Sequence, residues 1–255
     1  MTDAVRGSGE PAPWRPEAGP GGAPLAVPNA LGALWAVRHG QSTANAAFAE
    51  AGAARLAGRD RDVPLSALGQ AQARALGRWL VECAGELDLV VCSPYVRARQ
   101  TWQAMAGYAA GEGVAPLPLL TDERLRDREM GVFELYPPAA LAARDPEEAA
   151  RRDRLGEWFY RPPGGKSLAD VALRVRGFLA DLERAAPGRR VLLVAHDAAV
   201  VAVRFALAGL GAAPPEAVPP VPNASLSHWR GDGHRLDLRL WGGTAHLESD
   251  GPHDR

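Results

Sequence analysis

Three short apolar runs in this chain end in residues suited to chemistry on an anion. Leu34-Trp35-Ala36-Val37 runs into Arg38-His39-Gly40-Gln41-Ser42-Thr43-Ala44-Asn45. Val191-Leu192-Leu193-Val194-Ala195 runs into His196-Asp197, and Leu87 to Cys92 into Ser93-Pro94, with Arg97 just beyond. Each run suits a buried strand, so a cation and two histidines stand where strands end and helices begin. In α/β proteins the crevice at the carboxyl ends of the strands is the usual ligand site. A helix N-terminus there offers unpaired N–H groups to an anion. Gly40 has no Cβ, so a phosphate can approach its backbone closely. Taken singly, these residues also fit a solvated arginine at a strand end and a core histidine.

The elements that must hold these residues follow from periodicity and caps. Ser42 to Ala54 is alanine-rich and reads as a helix. Ser66 is the N-cap of a helix over Ala67 to Ala84, and Pro94 opens one over Tyr95 to Ala109, on which Arg97 and Thr101 share a face. Pro116 to Leu120 is a short strand candidate. The charged segment Thr121 to Glu134, with Asp127 and Glu129, has no clear period. Pro137 to Tyr160 is a helical excursion. Ser167 caps an amphipathic helix through Leu168, Val171, Val175, Phe178 and Leu182, and Ala198 to Leu210 is helical. Leu226 to Trp229 and Arg235 to Trp241 form a closing hairpin that turns at Gly231-Asp232-Gly233. Strands alternating with helices predict a three-layer α/β/α sandwich with a mostly parallel central sheet. The domain is expected over 30–243, with a small helical cap at about 133–161. Residues 1–29 read as a disordered Gly/Pro-rich leader, with Trp14 floating free, and 244–255 as a loose tail.

Composition narrows the partners. The 255 residues are 47% hydrophobic and carry a formal net charge of −1, which argues against nucleic acid or an acidic membrane as a main partner. All but one of the 29 basic residues are arginine, Lys166 being the lysine, so arginine excess alone says little about phosphate. Cys83 and Cys92 read as free thiols of a reducing compartment. No apolar stretch is long enough to span a bilayer and the N-terminus lacks a secretory signal, so the expected location is cytoplasmic.

The ordered set of motifs resembles the histidine phosphatase superfamily, the phosphoglycerate mutase-like fold, over about Leu34 to Trp241. The motifs are Arg38 to Asn45, Asp62 to Gln72, Ser93-Pro94-Tyr95-Val96-Arg97-Ala98-Arg99-Gln100-Thr101, Leu125 to Gly131, Pro163 to Ser167, and Val194-Ala195-His196-Asp197. The resemblance implies that His39 attacks phosphorus and becomes phosphohistidine, which water or a second acceptor discharges. It makes His196 and Asn45 phosphate donors, with Gly40 giving backbone approach. Arg38 and Arg97 suit neutralisation of the oxyanion by forked hydrogen bonds that lysine cannot copy. His39 must present a bare ring nitrogen, its other nitrogen held as a donor. Arg99 is expected to face solvent, and Gln41 and Thr101 to act as support.

Three departures stand out. In the family a glutamate usually protonates the leaving oxygen from a Leu-x-Glu-x-x-x-Gly frame, and here that place is Asp127. Glu129 is the alternative donor. Lys166 stands where glutamate is common, and Asp197 where glycine is common. A carboxylate beside a phosphate must turn away, for instance to cap the following helix. The expected activity is metal-independent phosphomonoester hydrolysis with no cofactor, on a small phosphorylated metabolite or a phosphorylated protein. The rivals are a phosphoglycerate mutase-type phosphotransferase, a non-catalytic binder of a phosphorylated ligand, and a metal hydrolase built on His39, His196 and Asp127.

Overall fold

The structure, a computed structural model, describes residues 25–50, 54–137 and 140–250. Most of the expected leader, with Trp14, and the last residues of the tail lie outside the described residues. Six strands form one sheet: β1 (Ala33–Arg38), β2 (Leu89–Cys92), β3 (Leu119–Thr121), β4 (Arg190–Ala195), β5 (Leu226–Gly231) and β6 (Leu236–Gly243), in the order β3-β2-β4-β1-β5-β6. The first four are parallel, and the hairpin β5–β6 adds an antiparallel edge.

Strands β1, β2 and β4 are apolar along nearly their whole length because both faces are covered. Side chains alternate. Trp35 and Val37 of β1, Val90 and Cys92 of β2, and Leu192 and Val194 of β4 point to α2 (Ala67–Cys83) and α3 (Val96–Gly111). Leu34 and Ala36, Val91, and Val191 and Leu193 point to α6 (Leu168–Ala185) and α7 (Asp197–Leu207). This is the expected three-layer α/β/α arrangement. Ser66 and Ser167 cap α2 and α6, each accepting from a backbone N–H three residues on.

Register places the histidines. Arg38 pairs with Ala195 across β1 and β4, so His39 and His196 leave the sheet side by side. Cys92 pairs with Val194, which sets Ser93 beside His196.

Several expectations change. Of the helix expected over Ser42 to Ala54, α1 covers Thr43–Phe48 and begins with a Ser42–Asn45 capping box, while residues 51–53 lie outside the described residues; of the residues of α1 only Ala44 is buried, so little packing extends it. The short strand lies at Leu119–Thr121 rather than Pro116 to Leu120, and is an exposed edge. Helix α7 starts at Asp197 and stops at Leu207, before Gly209 at φ 114°. The segment expected to form a cap contains α4 (Leu141–Arg144) and α5 (Pro146–Phe159), which Asp145 caps and Gly156, at φ 71°, kinks. Of the tail expected to be loose, Ala245–Asp250 forms a 3-10 segment instead; Leu247 packs on the core and His246 Nε2 meets Ala224 O at 2.9 Å. At the other end, Leu25 pairs with Leu210. Both cysteines are free. Among the described residues no helix is long and apolar enough to cross a membrane.

Candidate active site

His39, Arg97, Asp127 and His196 converge at the carboxyl ends of β1, β2 and β4. The two imidazoles meet edge to face, their centroids 5.1 Å apart. His39 is buried, and its Nδ1 lies 2.7 Å from Gly40 O. A carbonyl only accepts, so Nδ1 carries the proton and Nε2 the lone pair. Arg97 Nε–H donates to that Nε2 at 3.1 Å. Burial, then the charges of Arg97, His196 and Arg38, hold the His39 pKa well below its usual 6.5 despite the Gly40 carbonyl.

His196 is fully buried. Its Nε2 lies 2.8 Å from Ser93 Oγ, and Tyr95 N–H donates to the same oxygen. Its Nδ1 lies 3.3 Å from Asp127 Oδ2, an ion-pair distance without hydrogen-bond geometry. Asp127 Oδ2 accepts from Arg97 Nη2 at 2.7 Å, and Oδ1 accepts from Arg128 N–H. Burial alone would raise the Asp127 pKa; His196 and Arg97 outweigh it and hold the carboxyl well below the usual range. Glu129, the alternative donor, is bound instead by Arg126 Nε and Arg174 Nη1.

Arg38 reaches the same crevice from the end of β1. Its Nη1 donates to Val221 O at 2.6 Å and its Nη2 pairs with Asp197 Oδ2 at 3.1 Å, while Nε is buried without a partner. Asp197 thus turns to Arg38, and its other oxygen accepts from Ala198 N–H at the start of α7. Asn45 Oδ1 accepts from Ser42 N–H and Asn223 Nδ2, which leaves its own amide nitrogen for an anion. Lys166 is exposed, and its backbone binds Arg128 and Glu129.

Gly40 also has a packing task that the sequence did not reveal. Its N–H goes to Thr101 Oγ1 at 3.1 Å, and a Cβ there would stand 2.5 Å from Gly69 O. Gly40 allows the close approach of helix α2. Thr101 and Gln41 are support, Gln41 bonding Gln72 and Ser66.

Sequence reasoning missed Asp60 and Asn223. Asp60 lies in a 3-10 turn (Asp60–Asp62) and holds Arg97 with both carboxylate oxygens, at 3.0 and 3.1 Å. Asn223 Nδ2 donates to His39 O at 3.2 Å. A charged loop and a proline-rich connection gave no periodic signal for either.

The possible ligand atoms of His39, Asp127 and His196 lie within 4.8 Å of one another. Arg97 donates to two of those three side chains, so a metal cation would have to share its ligands with a guanidinium. The donor set suits an anion better than a cation.

The family model described as the histidine phosphatase superfamily (branch 1) matches residues 34–244. A 2,3-bisphosphoglycerate-dependent phosphoglycerate mutase of Methylobacterium radiotolerans is 34% identical over 69% of this chain and 79% of its own. A probable phosphoglycerate mutase of Yersinia enterocolitica is 31% identical over 84% of this chain and 94% of its own. A mycobacterial glucosyl-3-phosphoglycerate phosphatase complexed with VO3 superposes with a TM-score of 0.67 at 29% identity, covering 83% of this chain and 98% of that one. Strand order, the paired histidines and these matches together place the chain in the histidine phosphatase superfamily.

Proposed function

We propose that the protein is a metal-independent phosphomonoester hydrolase that passes the phosphoryl group through His39. The observation that carries this is the Gly40 carbonyl on His39 Nδ1, which leaves Nε2 as a bare nucleophile beside Arg97 and His196. Nε2 attacks phosphorus, the P–O bond to the alcohol breaks, and Asp127 gives the leaving oxygen its proton. Water then attacks the phosphohistidine, Asp127 takes the water's proton, and phosphate leaves with His39 restored. Arg38, Arg97, His196 and Asn45 hold the phosphoryl oxygens. Asp127 is ionised in the free site, so its proton enters with the ester, whose second pKa is about 6. The charge of the bound phosphoryl group then raises the affinity of the carboxyl for that proton.

Hydrolysis is favoured over a mutase by the pairing of several arginines in and beside the cap. A mutase must hold a second anionic group, yet Arg128 and Arg152 are paired with Glu157, Arg151 with Glu148, and Arg161 with Asp170. Beside the cap, Arg126 and Arg174 share Glu129. The mycobacterial neighbour, by its name, acts on a small phosphorylated metabolite, and we assign this chain a substrate of that kind in the cytoplasm. The test compares an aryl phosphate with a phosphoglycerate in the presence of a strong chelator. Release of phosphate from the aryl ester without isomerisation of the phosphoglycerate is expected. Isomerisation would establish the mutase, and absence of an acid-labile phosphohistidine would leave only binding.

A further inference from the structure

All five N–H groups of Arg97 are engaged within the site. Nε donates to His39 Nε2; Nη1 to Asp60 O and Oδ1; Nη2 to Asp60 Oδ2 and Asp127 Oδ2. His39 Nε2 gives up the Nε–H when it attacks phosphorus; for a forked grip on two phosphoryl oxygens a second donor is needed, and an Nη donor is freed when a carboxylate yields. Asp127 is the deeper of the two and is fixed by Arg128 N–H and the contact with His196. Asp60 sits on the solvent side: Arg59, Arg61 and Asp62 around it are exposed, and beyond Arg97 it is held by its own N–H on Glu134 Oε1. Its two oxygens lie on Arg97 as two phosphoryl oxygens would.

We propose that Asp60 is a specificity-determining residue: its carboxylate is the stand-in anion that the substrate's phosphoryl group displaces from Arg97, and once displaced it lines the leaving-group side and selects monoesters of neutral or cationic alcohols against those carrying a carboxylate or second phosphate beside the ester. The proposal rests on the phosphoryl-binding part of the function given above. The displaced carboxylate has a short tether, because Leu56 N–H is bound to Leu135 O and Asp60 N–H to Glu134. It therefore stays next to the reacting centre. With Asp127 and Asp197 already paired to Arg97 and Arg38, another anionic group on the substrate meets the like charge of Asp60.

Two measurements test it. Inorganic phosphate is titrated calorimetrically into wild type and Asp60→Asn at pH 7. Loss of the competing charge is expected to tighten binding about tenfold, and Asp60→Ser to do the same if charge rather than shape is the cause. In parallel, kcat/KM is compared for glycerol 3-phosphate and 3-phosphoglycerate, which differ by a carboxylate for a hydroxymethyl group. Wild type is expected to prefer the glycerol ester, and the preference to shrink at least about tenfold in Asp60→Asn, while ethanolamine phosphate moves the other way. Weaker phosphate binding, or an unchanged ratio, overturns the assignment. Should wild type turn over none of these esters, the calorimetric affinities for the same esters decide the case of Asp60, while the aryl phosphate assay decides the hydrolytic reading.

Discussion

Gly40 O stands 2.7 Å from Nδ1 of His39, the residue just before it. One backbone acceptor therefore sets the tautomer of the imidazole and points its lone pair at the crevice. The same ring is buried among Arg97, His196 and Arg38, all of which oppose a positive charge on it. Orientation and charge state thus come from different parts of the fold, the turn after β1 and the exits of the neighbouring strands.

The first prediction concerns pH. His39 must be neutral to attack, and its folded pKa is well below 6.5. The acid limb of kcat/KM assigned to His39 is expected well below pH 6.5. Stability follows the same sign. His196 is also depressed, chiefly by burial. Unfolded, both histidines take up protons near pH 6.5; folded, they do not. The unfolded chain then binds more protons, and these two groups lower stability as pH falls through 6.5 towards their folded values. Melting temperature followed from pH 8 to pH 5 reads this, with His39→Asn flattening part of the slope. A kinetic limb at or above pH 6.5 that moves with His39 would sink it.

The second prediction separates Asp127 from Glu129. Asp127→Asn is expected to cost about a hundredfold or more on alkyl phosphates, whose leaving group needs a proton, and under about tenfold on aryl phosphates. Glu129→Gln is expected to alter the Arg126 and Arg174 pairs without that leaving-group dependence. Equal losses on both ester types for Asp127→Asn would remove it as the acid.

How much of this was legible in the sequence depends on what each residue is attached to. Arg38, His39 and His196 stand at the ends of apolar strands, and Arg97 one step inside a helix that follows one. Periodicity locates those ends to within a residue or two, and parallel register then brings the histidines together. Asp60 and Asn223 lie in loops whose paths are set by long-range contacts, Asp60 by Glu134 and Arg97, Asn223 by His39 and Asn45. Nothing in the spacing of a charged loop distinguishes a carboxylate that turns inward from one that is solvated. Gly40 was legible as a position needing no side chain, but the neighbour that requires this, Gly69 of α2, was not.

That neighbour supports a third prediction. A Cβ on Gly40 would meet Gly69 O at 2.5 Å, and one on Gly69 would meet Gln41 O at 2.0 Å. Both obstacles are backbone, so neither can rotate away. Gly40→Ala and Gly69→Ala are each expected to cost about 1–3 kcal/mol in chemical denaturation. Gly40→Ala also displaces the carbonyl that holds His39, so its kcat is expected to fall further than its stability explains. An unshifted denaturation midpoint for both variants would show that α2 is free to move.

The last prediction concerns the loop that grips His39 from behind. His39 O accepts from Ala224 N–H at 3.0 Å and from Asn223 Nδ2 at 3.2 Å, and the same Nδ2 reaches Asn45 Oδ1 at 3.1 Å. Ala224 holds φ at 56°, a left-handed conformation that costs a residue with a Cβ roughly 1–2 kcal/mol. His246 of the C-terminal segment meets its carbonyl. The strained turn is thus bound on both sides, once to His39 and once to the tail. Asn223→Ala removes a donor shared by His39 and Asn45, and is expected to lower kcat about tenfold while shifting stability by no more than about 1 kcal/mol. Ala224→Gly relieves the strain but frees the unfolded chain, so stability and kcat are both expected to stay close to wild type. If Asn223→Ala instead lowers stability strongly and leaves kcat per folded molecule unchanged, the loop supports the fold and does not position His39.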